Sequence, residues 1–254
     1  MDVMKTAICG YGFIGKRHAE IVRKPPFNLV AIVDEIQMKC DVPFFYSLED
    51  MFKSVDVDIV SICTPNSFHA EQALICLENK KHVIIEKPMA LKTSDCEKII
   101  SKSLQVHRHV FCVMQNRYSP PVDWLKSVLP LLGRIYFIQV NCFWNRDQRY
   151  YNGGWHGTEK DGGVLFTQFS HFIDIIYFLF GDVTNITSTL KDFKKLTLFN
   201  DSGIVQFETK GAIGNLNFST ACYDKNLESS LTVIAEKGSV KIGGQYMNKV
   251  EYCH

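Results

Sequence analysis

Four groups of residues in this sequence have types and spacings that can do chemistry. The first is Gly10-Tyr11-Gly12-Phe13-Ile14-Gly15, which follows the strand-like run KTAIC and opens a helical pattern. In that context Gly10 permits a tight turn, Gly12 lets a pyrophosphate approach the backbone, and Gly15 packs helix on strand. The free N–H groups of the helix start face the anion. A second apolar run ends at Asp34, 19 residues after Gly15. A carboxylate there accepts hydrogen bonds from both ribose hydroxyls. Glu35 follows and no arginine stands beside it, so a ribose 2′-phosphate would be repelled, which favours NAD over NADP.

The second group lies at two later strand ends. Cys63-Thr64-Pro65-Asn66 closes the run DIVSIC, and HVIIEKPMA places Glu86 and Lys87 before Pro88. Open α/β sheets bind ligands at such ends. The first of these is equally a strand-to-helix turn with Asn66 or Ser67 as N-cap. Lys87 is either a solvated lysine or, beside a nicotinamide ring, a donor to a substrate hydroxyl that helps remove its proton.

The third group sits in GGVLFTQFSHFIDIIYFLFG, almost wholly apolar apart from Thr167, Gln168, His171 and Asp174. On one helix from about Gly163 to Phe180, Thr167 lies about 40° from His171 and Asp174 about 60° to the other side, so all three face one pocket. Such a histidine is either a satisfied core residue or a catalyst, and Asp174 can orient a reactive imidazole or satisfy a buried one. The fourth group, WNRDQRYYNGGWHGTEKDGG, gathers Trp144, Tyr150, Tyr151 and Trp155 with Arg146, Arg149 and His156 around glycines. Such a loop can stack a base and clamp a diphosphate, or it can be an aromatic surface or subunit contact.

The elements that must position these groups follow from hydrophobic period. Up to about residue 115, short β-branched runs alternate with helical patterns: KTAIC, a helix from about Ile14, NLVAIVD, a helix near Leu48, DIVSICT, a helix from about His69, HVIIEK, a helix from about Thr93, and VFCVMQN. Alternation with runs this apolar implies a parallel sheet covered on both faces. After Pro120-Pro121 the period becomes two. In YFIQVNCFW, Tyr136, Ile138, Val140 and Cys142 share one face, the mark of a half-buried, antiparallel strand, and GIVQFE, NLNFSTAC, SLTVIAE and SVKI follow with glycine turns between them.

The 254 residues carry 28 basic and 27 acidic side chains. That balance makes no electrostatic case for nucleic acid or an anionic membrane. No run reaches the roughly 18 to 20 apolar residues of a spanning helix, and the N-terminus enters a strand without a signal region, so a cytoplasmic protein is expected. Nine scattered cysteines without a C-x-x-C pair suit neither a disulfide framework nor a zinc site, so reduced, mostly buried thiols and no metal are expected.

GYGFIGKRHAE, the strand end at Asp34, CTPNSFHAEQAL, EKPMA, MQNRYSP and DGGVLFTQFSHFIDIIYFLFG occur in the order seen in the glucose-fructose oxidoreductase, inositol dehydrogenase and MocA (Gfo/Idh/MocA) family. The sequence resembles that family over nearly its whole length. The resemblance implies NAD-dependent oxidation or reduction at a sugar-ring carbon, with Lys87 and His171 as the substrate-facing acid/base residues and a cis Lys87-Pro88 peptide. It extends the candidate cofactor contacts to Gly10, Gly12, Phe13, Ile14, Gly15, Asp34, Thr64, Asn66, His69, Glu86, Lys87 and Asn116. Where the family commonly has Asp four residues before the histidine, this sequence has Thr167, which cannot act as a carboxylate base. T-Q-F-S-H, preceded by W-H-G-T-x-x-D-G-G, together with the ending GSVKIGGQYMNKVEY, resembles the branch acting on UDP-N-acetylglucosaminuronic acid at C3 in bacterial surface-polysaccharide (lipopolysaccharide) synthesis. On that resemblance Arg146, Arg149, Tyr150 and Tyr151 are candidates for the diphosphate or sugar region, with Asp174, Thr167 and Gln168 supporting His171.

The resulting expectation is an α/β plus α+β chain: a Rossmann NAD-binding domain over 1–117, then an open, mainly antiparallel sheet domain with an inserted helix over 118–254. Family members run on past the NKVEY region, so a C-terminally shortened chain, with no closing strand after it, is expected. The expected function is an NAD-dependent nucleotide-sugar dehydrogenase forming a homodimer or homotetramer. A polyol or simple sugar dehydrogenase leaves the arginine and aromatic loop without a use, and a non-catalytic NAD or nucleotide-sugar binder is favoured by Thr167 but not by Lys87 and His171.

Overall fold

The computed structural model describes residues 3–152, 154–245 and 247–254. Gly153 of the aromatic loop and Tyr246 of the C-terminal run therefore lie outside the described residues. The chain divides into two compact units, Met1–Val113 and Met114–His254.

In the first unit, strands β1 (Met4–Cys9), β2 (Phe27–Val33), β3 (Phe44–Phe45), β4 (Ile59–Ile62), β5 (His82–Ile85) and β6 (Val110–Cys112) alternate with helices α1 (Phe13–Val22), α2 (Leu48–Ser54), α3 (His69–Glu78) and α4 (Thr93–Gln105). The sheet order is β3-β2-β1-β4-β5-β6, and every pair is parallel. This is the doubly wound order, in which the direction of strand addition reverses between β1 and β4 and leaves a crevice at their C-terminal ends. The apolar runs read from the sequence become strands buried on both faces: Ala7, Ile8, Ala31, Ile32, Val60 and Ile62 are all fully inaccessible. Helix starts follow local chemistry as well. Ser47 caps α2 by accepting the Asp50 N–H, with Glu49 and Asp50 in the first turn and Lys53 in the last.

The second unit opens with α5 (Pro120–Val128) and continues through β7 (Ile135–Phe143), α6 (Gln148–Tyr151), α7 (Val164–Thr167), α8 (Ser170–Phe180), β8 (Thr184–Lys191), β9 (Ser202–Thr209), β10 (Ala212–Ser219), β11 (Glu228–Ala235), β12 (Gly238–Gly243) and β13 (Lys249–Cys253). Its strands form one sheet in the order β13-β12-β11-β7-β10-β9-β8. The expected alternation in β7 holds: Ile138, Val140 and Cys142 are buried while Tyr136, at the strand start, is exposed. These side chains join Leu216, Phe218, Leu231 and Val233 of neighbouring strands against Val122 and Leu125 of α5 and Phe172, Ile175 and Ile176 of α8. β7 was expected to be antiparallel, but it is so only toward β11 and runs parallel to β10.

Four features differ from the sequence reading. The apolar helix is not continuous: α7 and α8 are separated at Gln168-Phe169, where the N–H groups of both residues converge on the Val164 carbonyl. The break sends the Phe169 ring fully into the core, 5.2 Å from Trp144 and 5.3 Å from Phe218. α5 was hidden by its own first residues, Pro120 and Pro121, which start a helix as readily as they end a pattern. The end of the chain, with no strand signal in its sequence, forms β13, which pairs with β12. The cysteines are free, but only Cys9, Cys76 and Cys142 are buried. Among the described residues no helix is long and apolar enough to cross a membrane.

Candidate active site

The glycine loop sits at the C-terminal end of β1. Gly10 adopts φ +88°, and a Cβ there would lie 2.7 Å from the backbone of Cys63 and Thr64. At Gly15 a Cβ would fall 1.9 Å from the Gly10 carbonyl oxygen, whereas at Gly12 it would meet nothing within 4 Å. Gly10 and Gly15 are thus required by the protein's own packing, and Gly12 is not. Phe13 and Ile14 are exposed beside it. Asp34, at the end of β2, is tied to this loop: Oδ2 accepts the Tyr11 N–H at 2.6 Å and Oδ1 accepts the Ile36 N–H at 2.9 Å. Each carboxylate oxygen keeps a second lone pair for a ribose hydroxyl. An open glycine edge at a helix start with an acid fixed beside it fits a dinucleotide.

At the end of β4, the Thr64 hydroxyl donates to Gln72 Oε1 at 2.6 Å. Asn66 is buried in a 3₁₀ turn that begins at Pro65 without a side-chain cap, so the N-cap expected of Asn66 or Ser67 is not used. His69, expected as a cofactor contact, is only 1% exposed, and its ring lies between two backbone carbonyls, Pro88 O at 2.7 Å and Thr64 O at 2.8 Å. Burial holds its imidazole below the ordinary value. The ring braces the two strand ends. Glu86 accepts the Lys87 N–H on Oε2 at 3.2 Å, and the Lys87-Pro88 peptide is cis.

The second unit assembles its own polar cluster. His171 lies in the first turn of α8 and is 8% exposed, and Thr167 and Gln168 before it are buried as well. The Thr167 hydroxyl donates to the Gly163 carbonyl, one turn back. Gln168 links two of the loop residues: its Oε1 accepts from Arg146 Nε at 2.8 Å, and its Nε2 donates to the Tyr150 hydroxyl at 2.5 Å. The Arg146 guanidinium also reaches Asn226 Oδ1 and lies over the Trp144 and Tyr150 rings. Tyr150 stacks on His156, and burial pushes its phenol up to about 12, so it stays protonated. Asn116 lies in the 3₁₀ turn Gln115–Tyr118 of this unit.

Three further candidates have defined partners. Asp174 is engaged by another side chain: both of its oxygens accept from Arg117, at 2.8 and 2.5 Å. Arg149 is exposed and folds back on Asp147 of its own turn. Tyr151 packs edge-on against Tyr150. Sequence reasoning also passed over Arg117 and Asn226, and over His18 on α1. Arg117 was visible in MQNRYSP, but only its distant partner gives it a role.

A doubly wound parallel sheet with this glycine loop and acid, joined in sequence to a mixed-sheet unit bearing a histidine and arginine cluster, defines a protein of the dinucleotide-binding class. A model described as "Oxidoreductase family, NAD-binding Rossmann fold" matches residues 4–112, and one described as "GFO/IDH/MocA C-terminal domain" matches 131–241. The chain belongs to the Gfo/Idh/MocA family, and its cofactor is NAD. Among solved structures, the WlbA dehydrogenase from Chromobacterium violaceum in complex with NADH and UDP-GlcNAcA is 32% identical, with TM-score 0.95 over 100% of this chain and 78% of that one. WlbA from Bordetella pertussis, with the same two ligands, is 29% identical, with TM-score 0.95 over 99% and 77%. A dehydrogenase of 1-carboxy-3-chloro-3,4-dihydroxycyclohexa-1,5-diene from Comamonas testosteroni is 30% identical over 191 residues, 72% of this chain and 48% of that protein. The chain thus spans about half the length of that curated relative.

Proposed function

We propose that this protein is an NAD-dependent sugar dehydrogenase that oxidises the C3 hydroxyl of a UDP-N-acetylhexosaminuronate to a ketone. The observation that carries the reading is the Arg146–Gln168–Tyr150 network. It gives a fixed cation and a protonated phenol in the unit that carries the buried His171, groups suited to an anionic, hydroxyl-rich substrate. Similarity to two WlbA enzymes along essentially the whole chain supports the same substrate class.

NAD, when bound, supplies the hydride acceptor at nicotinamide C4. Gly10, Gly12 and Gly15 would hold its diphosphate, and Asp34 its ribose. His171 takes the hydroxyl proton, because Thr167 has no carboxylate to do so and its hydroxyl already donates to Gly163. Lys87 donates to the substrate hydroxyl and stabilises the oxygen as its proton leaves. Arg146 holds the anionic part of the substrate. The reading further includes a soluble, cytoplasmic homodimer or homotetramer serving surface-polysaccharide synthesis.

The test is His171→Ala. Turnover of UDP-N-acetylglucosaminuronate should be lost while NADH affinity stays near that of the parent. Loss of folding instead would mark His171 as a core residue.

A further inference from the structure

His18 lies on α1 one turn beyond Gly15, and its ring faces the ends of β4 and β5. Nδ1 is 2.7 Å from Ser61 Oγ and Nε2 is 3.0 Å from Glu86 Oε1. The His18 and Glu86 side chains are only 16% and 15% exposed. Burial alone would lower the imidazole, but the neighbouring Cys63 and Glu86 outweigh it and hold the ring at about 10. Burial would likewise raise Glu86, and the hydrogen bond from His18 more than reverses it. Glu86 is thus one of the groups that raise the ring, and the ring is the first of those that lower Glu86.

Taking two charges out of water costs about as much as their attraction returns, so such a pair is a poor source of stability. Its other contacts give it a different use. Glu86 turns Oε1 to His18 and Oε2 to the backbone N–H of Lys87. A continuous chain of contacts therefore runs from the dinucleotide helix to the main chain of the lysine. Ser61, fully buried on β4, holds the opposite side of the ring, so the imidazole cannot swing without breaking contacts to two strands.

We propose that His18 is a positioning residue, which through Glu86 fixes the main chain of Lys87 relative to the glycine loop, so that the proton-handling lysine keeps its register with the cofactor. The value of that register to turnover rests on the dehydrogenase reading above; the tie itself does not.

The test uses the NADH-loaded protein and compares H18A/E86Q, which removes both charges and the tie, with H18Q/E86Q, which keeps a neutral hydrogen-bonded pair. Limited acetylation followed by peptide mass spectrometry reads the reactivity of Lys87 against that of exposed Lys225. In H18A/E86Q, Lys87 labelling should change by about fivefold or more with Lys225 unaltered, and H18Q/E86Q should return it toward the parent value. Where the parent turns over UDP-N-acetylglucosaminuronate, kcat of H18A/E86Q should fall about tenfold or more with KM little changed. Parental labelling of Lys87 in folded H18A/E86Q overturns the proposal, as does failure of both variants to fold, which would make the pair structural. A parent without turnover overturns the dehydrogenase reading alone, since the labelling result stands apart from it.

Discussion

Arg117 grips both oxygens of Asp174, from a 3₁₀ turn to the turn of α8 that follows His171. The carboxylate is 9% exposed, and the guanidinium also lies over the Phe178 ring at 5.0 Å. Asp174 is therefore an anchor for the helix that carries His171. Arg117→Ala leaves a buried carboxylate uncompensated and should cost roughly 3 kcal/mol of unfolding free energy. Asp174→Asn removes the charge but keeps an acceptor, and should cost about 1 kcal/mol. Denaturant unfolding of the two variants checks this; equal losses would contradict the anchoring role.

The glycines of the loop separate by what their missing side chains leave room for. Gly12→Ala adds a methyl into open space, so stability should stay within about 0.5 kcal/mol while NADH affinity falls about tenfold. Gly15→Ala drives a Cβ into the Gly10 carbonyl and should lower stability and affinity together. Thermal unfolding and NADH fluorescence titration distinguish the two. An unchanged affinity in Gly12→Ala would mean the diphosphate does not pass there.

Asp34→Ala removes the acceptor at the ribose position and should weaken NADH binding by about 2 kcal/mol, the scale of hydrogen bonds to a charged group. The same change removes the repulsion of a 2′-phosphate, so NADPH should lose less affinity than NADH. Titration of both cofactors on both proteins reads the ratio directly.

These predictions rest on features of unequal legibility. The glycine loop and Asp34 could be read from the chain because a short spacing within one strand-helix-strand unit carries the whole requirement. Arg117–Asp174 and His18–Glu86 span 57 and 68 residues, and crossover geometry, not local pattern, brings them together. The break at Gln168 escaped notice because apolar residues on both sides continue the same composition, and only the pull of Phe169 into the core reveals it. β8 is exposed at every position, so it offers no alternation to detect. β13 shows only one partly covered residue, Tyr252, and was missed for the same reason.

The His18–Glu86 pair also sets a pH dependence. The imidazole is raised in the folded chain to about 10, so its stabilising contribution is complete below its ordinary range and is lost as pH rises through about 10. Glu86 is lowered, so its share is present above the ordinary carboxylate range and is lost on acidification. Lys87 is the further cation that holds Glu86 down, and Cys63 the further group that acts on His18. Unfolding free energy should therefore drop between about pH 7 and pH 10.5 in the parent by more than in His18→Gln. Parallel curves for the two would show that His18 is uncharged.

The most direct test of the account is incubation of the purified protein with NAD, UDP-N-acetylglucosaminuronate and a 2-oxo acid to regenerate bound cofactor, with myo-inositol as the parallel substrate. Reduced nicotinamide is followed by absorbance and the sugar product by mass spectrometry. The account predicts a nucleotide sugar lighter by two hydrogens, formed by the parent and not by His171→Ala, with no oxidation of inositol. A folded, NAD-bound protein that leaves the nucleotide sugar unchanged, or that oxidises inositol in its place, would contradict it.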